Sequence, residues 1–253
     1  MLKNYTRLFL ILLTLSCAVS CTKKGNTGPA GPVGPAGPSA TTGISQINGH
    51  VSLYDQYGTR QYTGLNNVKL VVNNGTYSYA DVNGYYVFPG LTSKGCNVSA
   101  SATGYGTTMF NVNLLSDTVY RDVKLSAVPN FQVVTFKAFH NVGSQYDSLV
   151  LSFNSDSRPR NCIVFVGSSA DVSNQPANYV LAYTKTVPVL ATRVNIQVPV
   201  TDLNGANFFF GQEVYFAAYS YVVNDASVYE DQITGRNVYN AVGTPVIDST
   251  TAP

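Results

Sequence analysis

From Ile44 to about Ala127, apolar and polar residues trade places in short runs, the period of two that sends alternate side chains to opposite faces of a strand. Ile47-Asn48-Gly49-His50-Val51-Ser52-Leu53 is the first run and Val68 to Val72 the second. Asn73-Asn74-Gly75 then reads as a hairpin turn needing positive φ, which returns the chain along Thr76 to Ala80. After Asp81-Val82-Asn83-Gly84 come further strands over Tyr85 to Leu91, Cys96 to Ser101, Thr107 to Asn113 and Val119 to Leu125. Side chains two apart share a face, so Tyr86 and Phe88 are expected inward, as are Cys96, Val98 and Ala100. From Val128 the same grammar repeats over Val133 to Phe139, Ser148 to Phe153, Asn161 to Gly167, Tyr179 to Lys185, Val194 to Val200 and Glu213 to Val223, with a seventh strand around Val238. The pattern predicts an all-β chain of two tandem β-sandwich domains, at 44–127 and 128–245, with Asp248 to Pro253 inside a frayed tail at 246–253.

Several residues of the first sandwich carry a family likeness. Ile47-x-Gly49-x-Val51, Val68-x-Leu70-x-Val72, Asp81-x-Asn83-Gly84-Tyr85-Tyr86-x-Phe88, Leu91 and Gly104-Tyr105 together resemble the carboxypeptidase regulatory-like, transthyretin-type β-sandwich. Cys96 departs from it, standing where that family commonly places an aromatic residue. The resemblance is to an accessory sandwich and implies no zinc-binding catalytic segment. In the second half, Phe210-Gly211-Gln212-Glu213-Val214-Tyr215-Phe216-Ala217-Ala218-Tyr219 resembles the late strand of fibronectin type III modules, and seven short strands on about a hundred residues fit an immunoglobulin or fibronectin-like sandwich.

A different pattern precedes these strands. Lys3 and Arg7 form a basic stretch ahead of an almost unbroken apolar run, Leu8 to Leu15, and Ala18-Val19-Ser20 leads into Cys21. This resembles the bacterial lipoprotein signal peptide and its lipobox, which implies that residues 1–20 are cleaved and that Cys21 carries palmitate-type acyl chains. Cys17 is the competing acceptor, but Cys21 is followed directly by the polar Thr22-Lys23-Lys24-Gly25. An ordinary secretory signal with incidental cysteines is the plainer alternative. The run is shorter than the roughly 20 residues a membrane span needs, whereas acyl chains hold through about 0.8 kcal/mol per buried methylene. Thr22 is not an inner-membrane retention aspartate of the enterobacterial kind, so the expectation is an outer-membrane lipoprotein of the cell envelope, its face left open. Gly25 to Ser39 then forms five Gly-X-Y triplets that resemble a collagen-like repeat. So short a repeat makes at best a marginal triple helix. Residues 21–43 are read instead as a lipidated N-terminus and a disordered Gly/Pro stalk, the triplets spanning about 45 Å at about 3.1 Å per residue.

Composition narrows the function. Lys and Arg number 15 and Asp and Glu 13, and without Lys3 and Arg7 the mature chain falls to 13 of each, a net charge of zero. No nucleic-acid partner or basic membrane-binding face is expected from that balance. With 18 Tyr, no Trp and 11% charged residues over the full sequence, the chain reads as β-rich and exported. Besides the acylated Cys21, only Cys96 and Cys162 remain in the mature chain, too few for a disulfide framework, and each reads as a small core hydrophobe rather than half of an interdomain bridge.

Candidate chemistry is thin. The two histidines, His50 and His140, have no catalytic motif around them, and no Cys/His spacing suits zinc. Asp81-x-Asn83-Gly84 and Asp202-x-Asn204-Gly205 offer half of a calcium loop without its distal glutamate, and Asx turns between strands account for both. No catalytic residue, metal site or cofactor is expected, and the chain is not read as an enzyme. Tyr77-x-Tyr79 and Tyr215-x-x-x-Tyr219-x-Tyr221 could stack on sugar rings if exposed. Asp117-Thr118-Val119 and Asp147-Ser148-Leu149 resemble O-glycosylation acceptor triplets of some Gram-negative envelopes. The reading is a monomeric, non-catalytic, lipid-anchored envelope protein acting in adhesion or protein–protein interaction. A carbohydrate-binding accessory lipoprotein of a nutrient-uptake system is the first alternative and a structural spacer the second. Coplanar exposed tyrosines would favour a glycan, and a bare sheet edge a protein partner.

Overall fold

The computed structural model describes residues 45–73, 75–92, 95–114, 118–140 and 143–252. The leader, Cys17, Cys21, the Gly-X-Y triplets and Asp117 lie outside the described residues.

The first sandwich is built around β1 (Ser45–Tyr54). Its first half pairs antiparallel with β5 (Tyr85–Leu91), and its second half with the short β2 (Arg60–Gln61). Along its other edge run β8 (Thr118–Tyr120) and β9 (Val123–Ser126), both parallel to it. The facing sheet is ordered β4-β3-β6-β7, from β3 (Lys69–Val72), β4 (Thr76–Tyr79), β6 (Gly95–Ser101) and β7 (Thr108–Asn113). Tyr86, Phe88, Cys96, Val98 and Ala100 all face the core between these sheets, as alternation requires. The turn after β3 has its positive φ at Asn73, 48°.

Gly49 shows why its position in β1 takes no side chain. The strand opposite breaks between β8 and β9 at Arg121-Asp122, where Arg121 donates its N–H to the Asn48 carbonyl at 2.8 Å. The Arg121 carbonyl then lies where a Cβ of residue 49 would stand, and it accepts the Tyr86 hydroxyl at 2.6 Å.

The second sandwich packs a three-stranded sheet, β10-β11-β14, on a four-stranded one, β13-β12-β15-β18. Its strands are β10 (Val133–His140), β11 (Tyr146–Phe153), β12 (Arg160–Gly167), β13 (Leu181–Val187), β14 (Arg193–Pro199), β15 (Glu213–Tyr221) and β18 (Val246–Thr251). A one-turn helix, α1 (Val200–Gly205), follows β14. β12 is buried on both faces: Cys162, Val164 and Val166 enter the core between the sheets, while Ile163 and Phe165 enter a second cluster on the outer face. The segment after β12 and an excursion from about Val222 to Val242 cover that outer face, the latter carrying the hairpin β16 (Tyr229–Glu230) and β17 (Asn237–Val238).

Two sequence expectations are corrected here. The seventh strand is not at Val238, which lies in the two-residue ladder of β16 and β17; it is Val246–Thr251, within the stretch expected to fray. That stretch holds because it pairs with β15 from Glu213 to Ala218, and because Asp248 accepts the Ala138 N–H at 3.0 Å and so ties β10 to β18. Asp202-x-Asn204-Gly205 is not an Asx turn between strands but part of α1, and the Asp202 carboxylate accepts the Tyr183 hydroxyl at 2.7 Å.

Polar contacts join the sandwiches. Gln56 exchanges side-chain bonds with Asn130, at 2.7 Å to its side chain and 2.8 Å from its N–H, and the Gln56 carbonyl accepts the Val223 N–H at 3.1 Å. Ser126 donates its N–H to the Ser227 hydroxyl at 2.7 Å and accepts the Ala226 N–H at 2.9 Å. Gly106 admits the backbone of Ala241, whose nitrogen would stand 2.8 Å from any Cβ there. The excursion that covers β12 therefore also seals the junction.

Candidate functional site

β7 is the last strand of its sheet, and its outer edge is open. Which groups face that edge follows from register. Asn97 of β6 donates its N–H to the Asn73 side-chain oxygen and accepts the Asn73 N–H at its carbonyl, at 3.0 and 2.9 Å, so both its backbone groups point away from β7. Asn97 is paired with Asn111, hence the N–H and C=O of Asn111 point outward, as do those of Met109 and Asn113 two residues to either side.

The edge opens into a cleft of about 860 Å³ between β6–β7 and the β16–β17 hairpin. On one wall stand Asn97, Met109 and Asn111, and the Arg121 guanidinium lies over the Phe110 ring, 5.6 Å from its centroid. Arg121 is aimed there by the same β8–β9 break that excludes a side chain at Gly49. The opposite wall is Tyr229 to Ile233. Its turn is pre-shaped: the Asp231 carboxylate accepts the Thr234 N–H and hydroxyl at 2.8 and 2.7 Å, bonds that hold its pKa below the ordinary value. Arg236 pins the hairpin by donating to the Pro176 carbonyl at 2.7 Å. Ile233 at the tip is 93% exposed. Among the described residues, the side chains of Asn97, Asn111, Arg121 and Glu230 make no hydrogen bond. The cleft thus combines outward backbone pairs, amides, one cation, two carboxylates, of which Asp231 is bonded within its own turn, and apolar rims.

The residues singled out from sequence are placed elsewhere. His50 bonds through Nδ1 to the Tyr120 hydroxyl at 2.6 Å, and His140 to the Asp147 carboxylate at 2.8 Å, in different sandwiches. Burial raises the Asp147 pKa while His140 pulls it down. Cys96 and Cys162 are free, each inside its own core, and burial pushes the Cys162 thiol up to about 12. Asp81 spends one carboxylate oxygen on the N–H groups of Asn83 and Tyr85, both at 2.8 Å. Ser148 sits inside the β10-β11-β14 ladder with Asp147 and Leu149 fully buried beside it, whereas Thr118 is exposed at the start of β8. Of the tyrosines, Tyr219 and Tyr221 are core residues, while Tyr77 and Tyr79 are exposed with their rings at 84° to one another.

No family model matches the chain, and a search of curated proteins finds no match. Solved structures give remote likenesses. A Bacteroides uniformis protein provisionally described as carbohydrate binding is 14% identical with a TM-score of 0.32, over 82% of this chain and 100% of its own. A DUF3823 family protein from Parabacteroides merdae is 12% identical at 0.27, over 71% and 91%. BcpA, the major pilin subunit of Bacillus cereus, is 10% identical at 0.28, over 82% and 68%. Likenesses of this size bear on neither ligand nor partner.

Proposed function

We propose that this chain is a non-catalytic, lipid-anchored protein of the bacterial outer membrane, whose sandwiches stand off the lipid on the Gly-X-Y stalk and capture an extended segment of a partner protein along β7. One observation carries the binding mode: the bare β7 edge, where the outward backbone pairs of Met109 and Asn111 belong to residues lining a cleft of about 860 Å³ and that of Asn113 continues the edge beyond it. Main-chain pairing to such an edge supplies affinity, and side-chain pockets beside it supply selectivity. Arg121 and Glu230 would read charge on the incoming strand, and Ile233 would close over it. Tyr77 and Tyr79, perpendicular to one another, make no shared coplanar platform. The first sandwich is proposed as a carboxypeptidase regulatory-like module and the second as fibronectin-like, on their motif residues.

The binding mode is tested by Asn111→Pro, which removes an outward N–H that the sheet does not use and so leaves the fold intact. With a photo-crosslinker at Ile233 in intact cells, a protein adduct is expected in the parent and none in Asn111→Pro. An adduct indifferent to the proline would refute strand pairing. Lipidation is tested separately: Cys21→Ala should abolish detergent partitioning and Cys17→Ala should not.

A further inference from the structure

A second concavity lies at the end of the first sandwich where β3 begins and where β4 and β6 end, and its chemistry differs in kind. It is about 490 Å³, with Leu53 at its base. Three local features build it. The 3-10 turn Leu65–Asn67, entered through Gly64 at φ 77°, presents the side chains of Asn66 and Asn67. The end of the edge strand β4 contributes Tyr79, 54% exposed. The turn between β6 and β7, closed by the Tyr105 N–H on the Ala102 carbonyl at 3.1 Å, contributes Thr103 and a half-buried Tyr105 held by its bridge to Ala127.

No Asp, Glu, Lys, Arg or His lines this concavity. Its polar groups are two primary amides, two phenols and one alcohol, and among the described residues none of these side chains makes a hydrogen bond. Partial burial and nearby Asp55 raise the Tyr105 pKa, so its hydroxyl stays protonated and able to donate. Planar amides offer a donor and an acceptor side by side, the arrangement that adjacent hydroxyls on a ring satisfy together. Aromatic faces pack on the C–H faces of the same ring. The volume lies within the range of small-ligand pockets. An anion or cation would meet no counter-charge in the lining, and an acyl chain or apolar peptide would strand the amides without partners, at a desolvation cost.

We propose that the concavity between Asn66, Asn67, Tyr79, Thr103 and Tyr105 is a binding site for an uncharged saccharide, separate from the β7 cleft and independent of what binds there. Tyr79 supplies the stacking surface, Asn66 and Asn67 read vicinal hydroxyls, and Tyr105 and Thr103 fix the ring's orientation.

The test uses the full-length protein in a sugar-free detergent, run through native gels containing neutral polysaccharides (β-glucan, mannan, xylan, arabinogalactan) or the polyanions alginate and chondroitin sulfate. Retardation by at least one neutral polymer is expected, weakened at least tenfold by Tyr79→Ala and by Asn67→Ala. Tyr79→Phe should largely preserve it, and Asn111→Pro should leave it unchanged, which separates this site from the β7 cleft. Tyr79 and Asn67 are exposed, so their variants should fold, and a thermal melt of each checks it. Lack of retardation by all four neutral polymers would overturn the proposal, as would a preference for the polyanions or binding that survives both alanine variants.

Discussion

The two sandwiches use tyrosine in opposite ways. In the first, Tyr62, Tyr77, Tyr79 and Tyr120 stand in solvent, and only Tyr86 is buried deep in the core. In the second, Tyr179, Tyr219 and Tyr239 close around Phe165 with ring centroids 4.9 to 5.5 Å away, and Tyr221 packs on Tyr239. Strand alternation does not distinguish the two cases, because β4 and β15 both place tyrosines two residues apart. The distinction lies in what crosses the outer face. Nothing described covers β4, whereas the segment after β12 and the excursion between β15 and β18 roof over β12 and β15 and turn an outer face into a second core.

Four substitutions probe that contrast. Phe165→Ala empties the centre of the roofed cluster and should cost about 3–5 kcal/mol in urea unfolding. A loss below about 1 kcal/mol would mean that the roof contributes no real core. Gly49→Ala sets a methyl against a backbone carbonyl that cannot swing aside, and should cost about 3 kcal/mol, so the first sandwich depends on a close backbone crossing as the second does on its roof.

Asp225→Asn probes the excursion where it meets the first sandwich. Asp225 accepts the Ser227 N–H at 2.8 Å, but burial raises its pKa above the ordinary value of 3.8. The folded state therefore holds the proton more tightly than the unfolded chain. This contribution favours folding at pH below the ordinary value and is lost as pH rises through the shifted one. Denaturation between pH 4 and pH 7, a span of roughly neutral to mildly acid conditions chosen around that linkage, should show Asp225→Asn gaining on the parent as pH rises. A constant difference would place the titration elsewhere. Tyr77→Ala, on the open face, should change stability by no more than about 0.5 kcal/mol. A larger loss would show that the exposed tyrosines share the structural role of the roofed ones.

The sequence made the strands and the inward residues legible wherever one face is wet and the other dry, as at Tyr86, Phe88, Cys96, Val98 and Ala100. It failed at Val246–Thr251, a polar strand held by its pairing to β15 and by Asp248 rather than by an apolar face. It failed again at Asp202, where four residues suited to a turn wind into helix after Pro199. The candidate cleft was barely legible. Asn97 and Asn111 are recognisable as outward positions on their strands, but Arg121 and the segment from Tyr229 to Ile233 reach the same place only through the β8–β9 break and the excursion, and no local pattern encodes that meeting.

The parallel run of β1 beside β9 has a mechanical consequence. Tension applied between the start of β1 and the second sandwich pulls the two strands in opposite directions along their common axis. The bonds from Val51 to Tyr54 against Val123 to Ser126 are then loaded together in shear rather than opened one after another like a zip. A protein tethered at one end and gripped at the other would thus meet the load with its most resistant geometry, at the strand where the pull arrives.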